Sequence, residues 1–119
     1  MRALLRLPEA QGHLPYTEIV SGIESRFEWD ENKSKANREK HGISFETAKL
    51  VFDDPYCLLV LDRIEAGEER WHAVGMIFKA AVLLTVVHTR RREDGKEVIR
   101  IISAPGATKQ EENDYAESL

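Results

Sequence analysis

A chain of 119 residues with 42% hydrophobic content supplies one domain with one modest core, and no second domain is expected. A lone cysteine excludes a disulfide framework, and no apolar run approaches the ~20 residues that a membrane-spanning helix needs. A net charge of −4 weighs against a nucleic-acid partner, because neutralised phosphates supply most of such binding, unless the positive charge gathers on one face.

Residues 1–26 are broken by Pro8, Gly12 and Pro15, and the apolar run ahead of Pro8 is too short to read as a secretory signal. A cytoplasmic location is expected. Tyr16, Ile19, Val20 and Ile23 fall at i, i+3, i+4 and i+7, the spacing of a short amphipathic helix, although Gly22 weakens it. The segment reads as an N-terminal extension, partly disordered or a short helix, ahead of a domain over 27–119.

Phe27, Glu28 and Trp29 read as a short strand that leads into Asp30, an N-cap for a polar helix ended by Gly42. That helix carries Lys33, Lys35, Arg38 and Lys40 and has almost no apolar stripe beyond Ala36. A solvated face is the ordinary meaning of such a charge run. Ser44 caps a second helix in which Phe45, Ala48, Val51 and Phe52 share a face, and Asp53, Asp54 and Pro55 stop it. Four β-rich runs follow, at 57–62, 69–78, 81–91 and 97–104, with connections short enough for an antiparallel meander. Cys57 opens the first run and reads as a buried thiol. Thr108 caps a last helix over 109–117, whose acidic end opposes the helix dipole. The expected fold is α+β: a small four- to five-stranded antiparallel sheet with two helices before it and one after.

Asp94-Gly95 is a two-residue hairpin signal that sets Arg92 opposite Glu97, Arg91 opposite Val98 and Thr89 opposite Arg100. If Lys79-Ala80 is also a two-residue turn, Phe78 faces Ala81 and Arg70 faces Thr89. Arg70, Thr89 and Arg100 then form a row across three strands, with His72 and Arg91 on the same face. Clustered like charges repel unless carboxylates or a bound anion compensate them. A phosphate backbone is one such anion, and surface salt bridges with Glu68, Glu93 and Glu97 are the alternative.

Metal-free RNA cleavage requires a deprotonated 2′-hydroxyl, a stabilised pentacoordinate phosphate and a protonated leaving oxygen. Planar guanidinium forks suit the phosphate, and an imidazole suits proton transfer. His72 and His88 differ in parity along paired strands, so they lie on opposite sheet faces and do not form an acid/base pair. His88 alternates with Val82, Leu84 and Val86 and reads as a core histidine. His41 complements a helix C-terminus, and His13 carries no signal. No His or Cys set has metal-ligand spacing, and no glycine-rich phosphate loop or nucleophile elbow is present, so neither metal nor cofactor is expected.

Phe27 through Asp30, then Lys33, Asn37, Lys40 through Gly42, Ser44, Phe45, Ala48 and Val51 through Asp54 make up a pattern that resembles the opening of BrnT-type toxins. The likeness continues collinearly through Gly67 to Arg70, Gly75, Val87 to Thr89, Arg91, Arg100 to Ala104, Ala107, Thr108, Glu111 and Tyr115. The resemblance implies a RelE-like fold and an endoribonuclease that arrests translation. It further implies a BrnA-like ribbon-helix-helix antitoxin through which the complex reaches operator DNA. On this reading Arg70, His72, Arg91 and Arg100 are catalytic, and Lys33, Lys40, Thr89 and Arg90 bind RNA. Two departures favour an alternative, a catalytically weak homologue that serves as an antitoxin-binding corepressor. Ser103-Ala104-Pro105-Gly106 stands where relatives carry an arginine after Ser-Ala, and Glu111, Glu112, Asp114 and Glu117 make the last helix acidic where relatives tend to be basic.

Overall fold

The computed structural model describes residues 3–5 and 25–119. The helix expected over residues 16–23 lies outside them. Strands β1 (Ala3–Leu5), β2 (Ser25–Glu28), β3 (Cys57–Glu65), β4 (Glu68–Ile77), β5 (Val82–Glu93) and β6 (Lys96–Ser103) form one sheet in the order β1-β3-β4-β5-β6-β2. Helix α1 (Glu31–His41) and helix α2 (Phe45–Ala48), which a 3₁₀ segment at Lys49–Asp53 extends, precede the meander; α3 (Lys109–Glu117) follows it. The fold is α+β as expected. The sheet is wider than the meander, and mixed, because β1 and β2 add to its edges in parallel with β3 and β6.

The expected caps are made. Asp30 accepts from the backbone of Asn32 and Lys33, Gly42 takes the left-handed conformation at φ 80°, and Thr108 and Glu111 form a reciprocal capping box on α3. No helix among the described residues is long and apolar enough to cross a membrane.

α1 docks through polar groups, which explains its missing apolar stripe. Ser34 Oγ accepts from Phe45 N at 2.9 Å. Asn37 donates to Ile43 O and Ala104 O at 2.8 and 3.0 Å and accepts from Ala104 N at 3.1 Å. Its amide thus acts as a third strand's backbone would, holding the end of β6 and the start of α2 together. The apolar layer lies between α2 with its 3₁₀ extension and one sheet face, where Phe45, Val51 and Phe52 meet Trp71, Ala73, Val86, Ile99 and Ile101. Gly75 is required at this contact: a Cβ there would lie 2.7 Å from Val51 Cγ1 and 3.0 Å from Val51 O.

α3 covers part of the opposite face through Tyr115, which packs with Leu58 and Val74. Its hydroxyl donates to Asp54 Oδ2 at 2.6 Å, and the same oxygen accepts from Met76 N. Asp54 therefore stitches the end of the 3₁₀ segment, β4 and α3 at one buried point. By strand alternation, Arg70, His72, Thr89, Arg91 and Arg100 share the α3 face, beyond the part that α3 covers.

His88 is fully buried on the other face, edge-on to Phe52, with Nδ1 3.1 Å from Val86 O. Burial pushes its pKa down to about 3, against the opposing bond to Val86 and with help from Arg90 and His72. Cys57 is buried as expected, and burial raises its thiol.

Two outcomes follow from this packing. Asn37→Ala strands three backbone groups, the two of Ala104 buried and that of Ile43 partly so, and costs about 2–3 kcal/mol in urea denaturation. The unfolded chain protonates His88 below about 6.5, whereas the folded chain resists until about 3. Its contribution to stability is thus complete above pH 6.5 and is lost as pH falls towards 3. In His88→Leu, the plot of unfolding free energy against pH is flatter across that window.

Candidate functional site

The open half of the α3 face carries most of the charge. Two left-handed residues, Asp94 at φ 52° and Gly95 at φ 75°, form the tight turn that the Asp-Gly pair predicts. Arg92 lies opposite Glu97, Arg91 opposite Val98 and Thr89 opposite Arg100, as expected. The β4–β5 connection is a longer 3₁₀ turn through Phe78–Ala80 with Ala81 left-handed, yet Ile77 still pairs with Val82 and Arg70 with Thr89. The row Arg70, Thr89, Arg100 therefore exists, and β2 extends it, since Glu28 pairs with Arg100.

That last residue was not singled out from the sequence. Arg91 forks onto both Glu28 oxygens at 3.0 and 3.2 Å, and Arg100 Nη1 reaches Oε2 at 3.2 Å. The Arg91 hydrogen bond is the chief reason that the Glu28 carboxyl is held below its ordinary range; burial opposes it, and Arg100 adds to the lowering. Glu93 joins Arg26 at 2.8 Å and Arg91 at 3.1 Å, and its carboxyl is also held low, mostly by Arg26. At the other end of the row Arg70 Nη1 meets Glu65 at 3.1 Å. Of the salt-bridge partners considered from the sequence, Glu93 compensates this face and Glu97 does not. A parallel edge strand made from Phe27 and its neighbours was needed to bring Glu28 into register, and period-two alternation within β6 gives no hint of it.

His72 lies one step along β4 from Arg70 on the same face. Its Nδ1 is 3.2 Å from Glu111 Oε2, and its Nε2 is 3.8 Å from Asp62 Oδ2. The β3–β4 register shifts between Leu61 and Arg63, which makes Asp62 the extra residue of a bulge and turns its carboxylate towards the imidazole. Burial raises the Glu111 carboxyl, but bonds from the Thr108 backbone, Thr85, His72 and the Thr108 side chain outweigh it, and the net shift is downward. The first turn of α3 thereby fixes a carboxylate–imidazole pair at the rim of the arginine row.

The remaining predicted residues divide. Thr89 sits in the row but is only 5% exposed, so it supports the arginines from beneath. Arg90 points to the opposite face, stacks 5.6 Å from the Trp71 ring centroid and pairs with Glu97; its side chain is 8% exposed. The expectation that Arg90 joins an RNA-binding surface is corrected by this geometry: strand alternation turns it into the core layer. Lys33 and Lys40 are exposed on α1, away from the row, beside a cleft. Pro105, in the segment that departs from the expected pattern, continues the pairing along β5 past the end of β6, since its carbonyl accepts from Thr85 N at 3.0 Å.

Glu28→Gln removes the carboxylate that Arg100 meets and leaves Arg91 with Glu93 alone. Anisotropy titration with a short single-stranded RNA at low salt should show severalfold tighter binding than in the parent, and the difference should fade above about 0.1 M salt.

A family model described as ribonuclease toxin, BrnT, of type II toxin-antitoxin system matches residues 29–111. No curated protein matches the chain at a significant level. The matched span begins at Trp29, beside Glu28 at the end of the row. It contains α1, α2, the whole meander and the turn of α3 that carries Glu111. With well over half of its length inside that match, this chain belongs to the BrnT family of ribonuclease toxins of type II toxin-antitoxin systems.

Proposed function

We propose that the chain is a metal-independent endoribonuclease that acts in the bacterial cytoplasm, arrests translation and growth, and is neutralised by a BrnA-like ribbon-helix-helix antitoxin. The observation that carries this reading is the row of Arg70, Thr89 and Arg100 with Arg91 beside it, open on one face and bordered by the His72–Glu111 pair. In the proposed reaction a base removes the 2′-proton and the 2′-oxygen attacks phosphorus. The bond to the 5′-oxygen breaks, and that oxygen takes up a proton. The products are a 2′,3′-cyclic phosphate and a 5′-hydroxyl. Arg70, Arg91 and Arg100 bind the phosphate and the charge that develops on it, and His72 assists proton transfer. Lys33 and Lys40 contact RNA outside the reacting group. The toxin domain spans 27–119, with residues 1–26 as an extension, and its fold is RelE-like; a four-stranded antiparallel meander with helices on both faces supports that likeness. The complex with antitoxin reaches operator DNA through the antitoxin.

A specific observation favours a second reading, an antitoxin-binding corepressor with little catalysis. Glu28, Glu65 and Glu93 already neutralise the arginines of the row, and Pro105 stands where relatives carry an arginine.

Induced expression in a bacterial host separates the two. The nuclease reading expects growth arrest with RNA breakdown, and Arg70→Ala or Arg100→Ala should each lower cleavage by about 10²-fold while leaving fold and antitoxin binding intact. Healthy growth with folded wild-type protein that still binds antitoxin and represses its operator would favour the corepressor.

A further inference from the structure

The cations of α1 are held differently from those of the sheet. Arg26, Arg70, Arg91 and Arg100 each face a carboxylate, whereas Lys33 and Lys40 have no ion-pair or hydrogen-bond partner for their ammonium groups among the described residues. They are seven residues apart, two turns or about 10 Å along one helix face. Between them α1 is locked to Ala104 by Asn37, so the two ammonium groups stand over a firm base.

A cleft of about 190 Å³ opens at this face. Lys33, Lys40 and exposed His41 line its helical side, Ile102 and Ser103 its strand side, and Phe45 closes its floor. The strand side is open because β2 pairs with β6 only as far as Arg100. There is also a bulge: Ile101 lies opposite His88 and Ser103 opposite Val87, which leaves Ile102 as the extra residue. Bulges re-aim side chains, and this one sits where the sheet edge turns towards the cleft. Arg100 and Ile102 are two residues apart, roughly 7 Å along the same strand, so β6 carries both the last arginine of the row and, further along, the strand side of the cleft.

Two ammonium groups, an imidazole plane and a small apolar floor are the chemistry that takes one unstacked nucleotide. The base lies against the imidazole and apolar atoms, and the lysines meet its phosphates. At about 190 Å³ the cleft is below the roughly 300–1,000 Å³ of pockets that hold drug-sized ligands, which suits one base, with its sugar and phosphates outside on the lysines, and not a folded protein segment. An acidic peptide would answer the lysines but would leave the apolar floor unused. We infer that the cleft between α1 and the bulged edge of β6 is a second RNA subsite, which grips one unstacked nucleotide of a strand whose reacting phosphate is held by the sheet arginines. The inference rests on the ribonuclease reading.

The test is equilibrium binding of the full chain to a fluorescent single-stranded RNA whose 2′-oxygens are methylated to prevent cleavage, followed across salt concentrations. Lys33→Gln/Lys40→Gln should weaken binding about tenfold and reduce the salt slope by about 1.4, two phosphate contacts at ~0.7 each on a single strand. His41→Ala should weaken binding with the slope unchanged. Lys35→Gln/Arg38→Gln removes the same charge from α1 off the cleft and should do much less. Equal losses in that control, or wild-type binding by the cleft variants, would overturn the subsite. If Arg91→Ala weakens binding and the cleft variants do not, the subsite fails and the ribonuclease reading stands; if none of them changes binding, both fall. Cleft variants that keep RNA binding but lose the antitoxin would overturn the subsite in favour of a protein-binding surface.

Discussion

The register of β4, β5 and β6 is the constraint on which the site depends. A slip of one residue would carry every side chain of a strand to the other face, so Arg70, Thr89 and Arg100 meet only because two hairpins hold their pairing. Asp94 and Gly95 secure one through their left-handed backbone. The other is secured from the core side, where Trp71, Ala73 and Ile77 must face the helical layer. Hydrophobic burial on one face thus dictates where the charges stand on the other.

Once gathered there, the arginines cannot stand alone. Glu28 answers Arg91 and Arg100, Glu93 answers Arg26 and Arg91, and Glu65 answers Arg70. These are partly exposed pairs of modest strength, which hold the guanidinium groups together. On the proposed ribonuclease reading, a phosphodiester would displace them with release of its counterions at low salt, and would lose that advantage as salt rises. On that reading the balance between internal pairing and RNA binding turns on Glu28, on the edge strand.

The third helix joins fold to chemistry. Asp54 and Tyr115 anchor its body in the small core on that face, while its first turn presents Glu111 to His72 and Thr85. The acidity that makes this helix look unsuited to RNA has, at Glu111, a defined structural use. Glu112, Asp114 and Glu117 have no comparable role in orienting the site.

Much was legible in the chain itself because local chemistry decided it. Asp30, Gly42, Ser44 and Thr108 mark helix ends by the hydrogen bonds their side chains or backbones make within a turn. The Asp-Gly pair specifies a hairpin, and the hairpin carries the arginine row with it. His88 and Cys57 were identifiable as core residues by the apolar residues around them. What the sequence could not decide were contacts between segments remote along the chain. The parallel pairing of β2 that brings Glu28 to Arg100, the bulge that turns Asp62 to His72, and Glu111's reach across from α3 each join residues at least ten apart. Such contacts leave no periodicity to read, since their partners are chosen by where the packed layers meet; only the tertiary structure settled them.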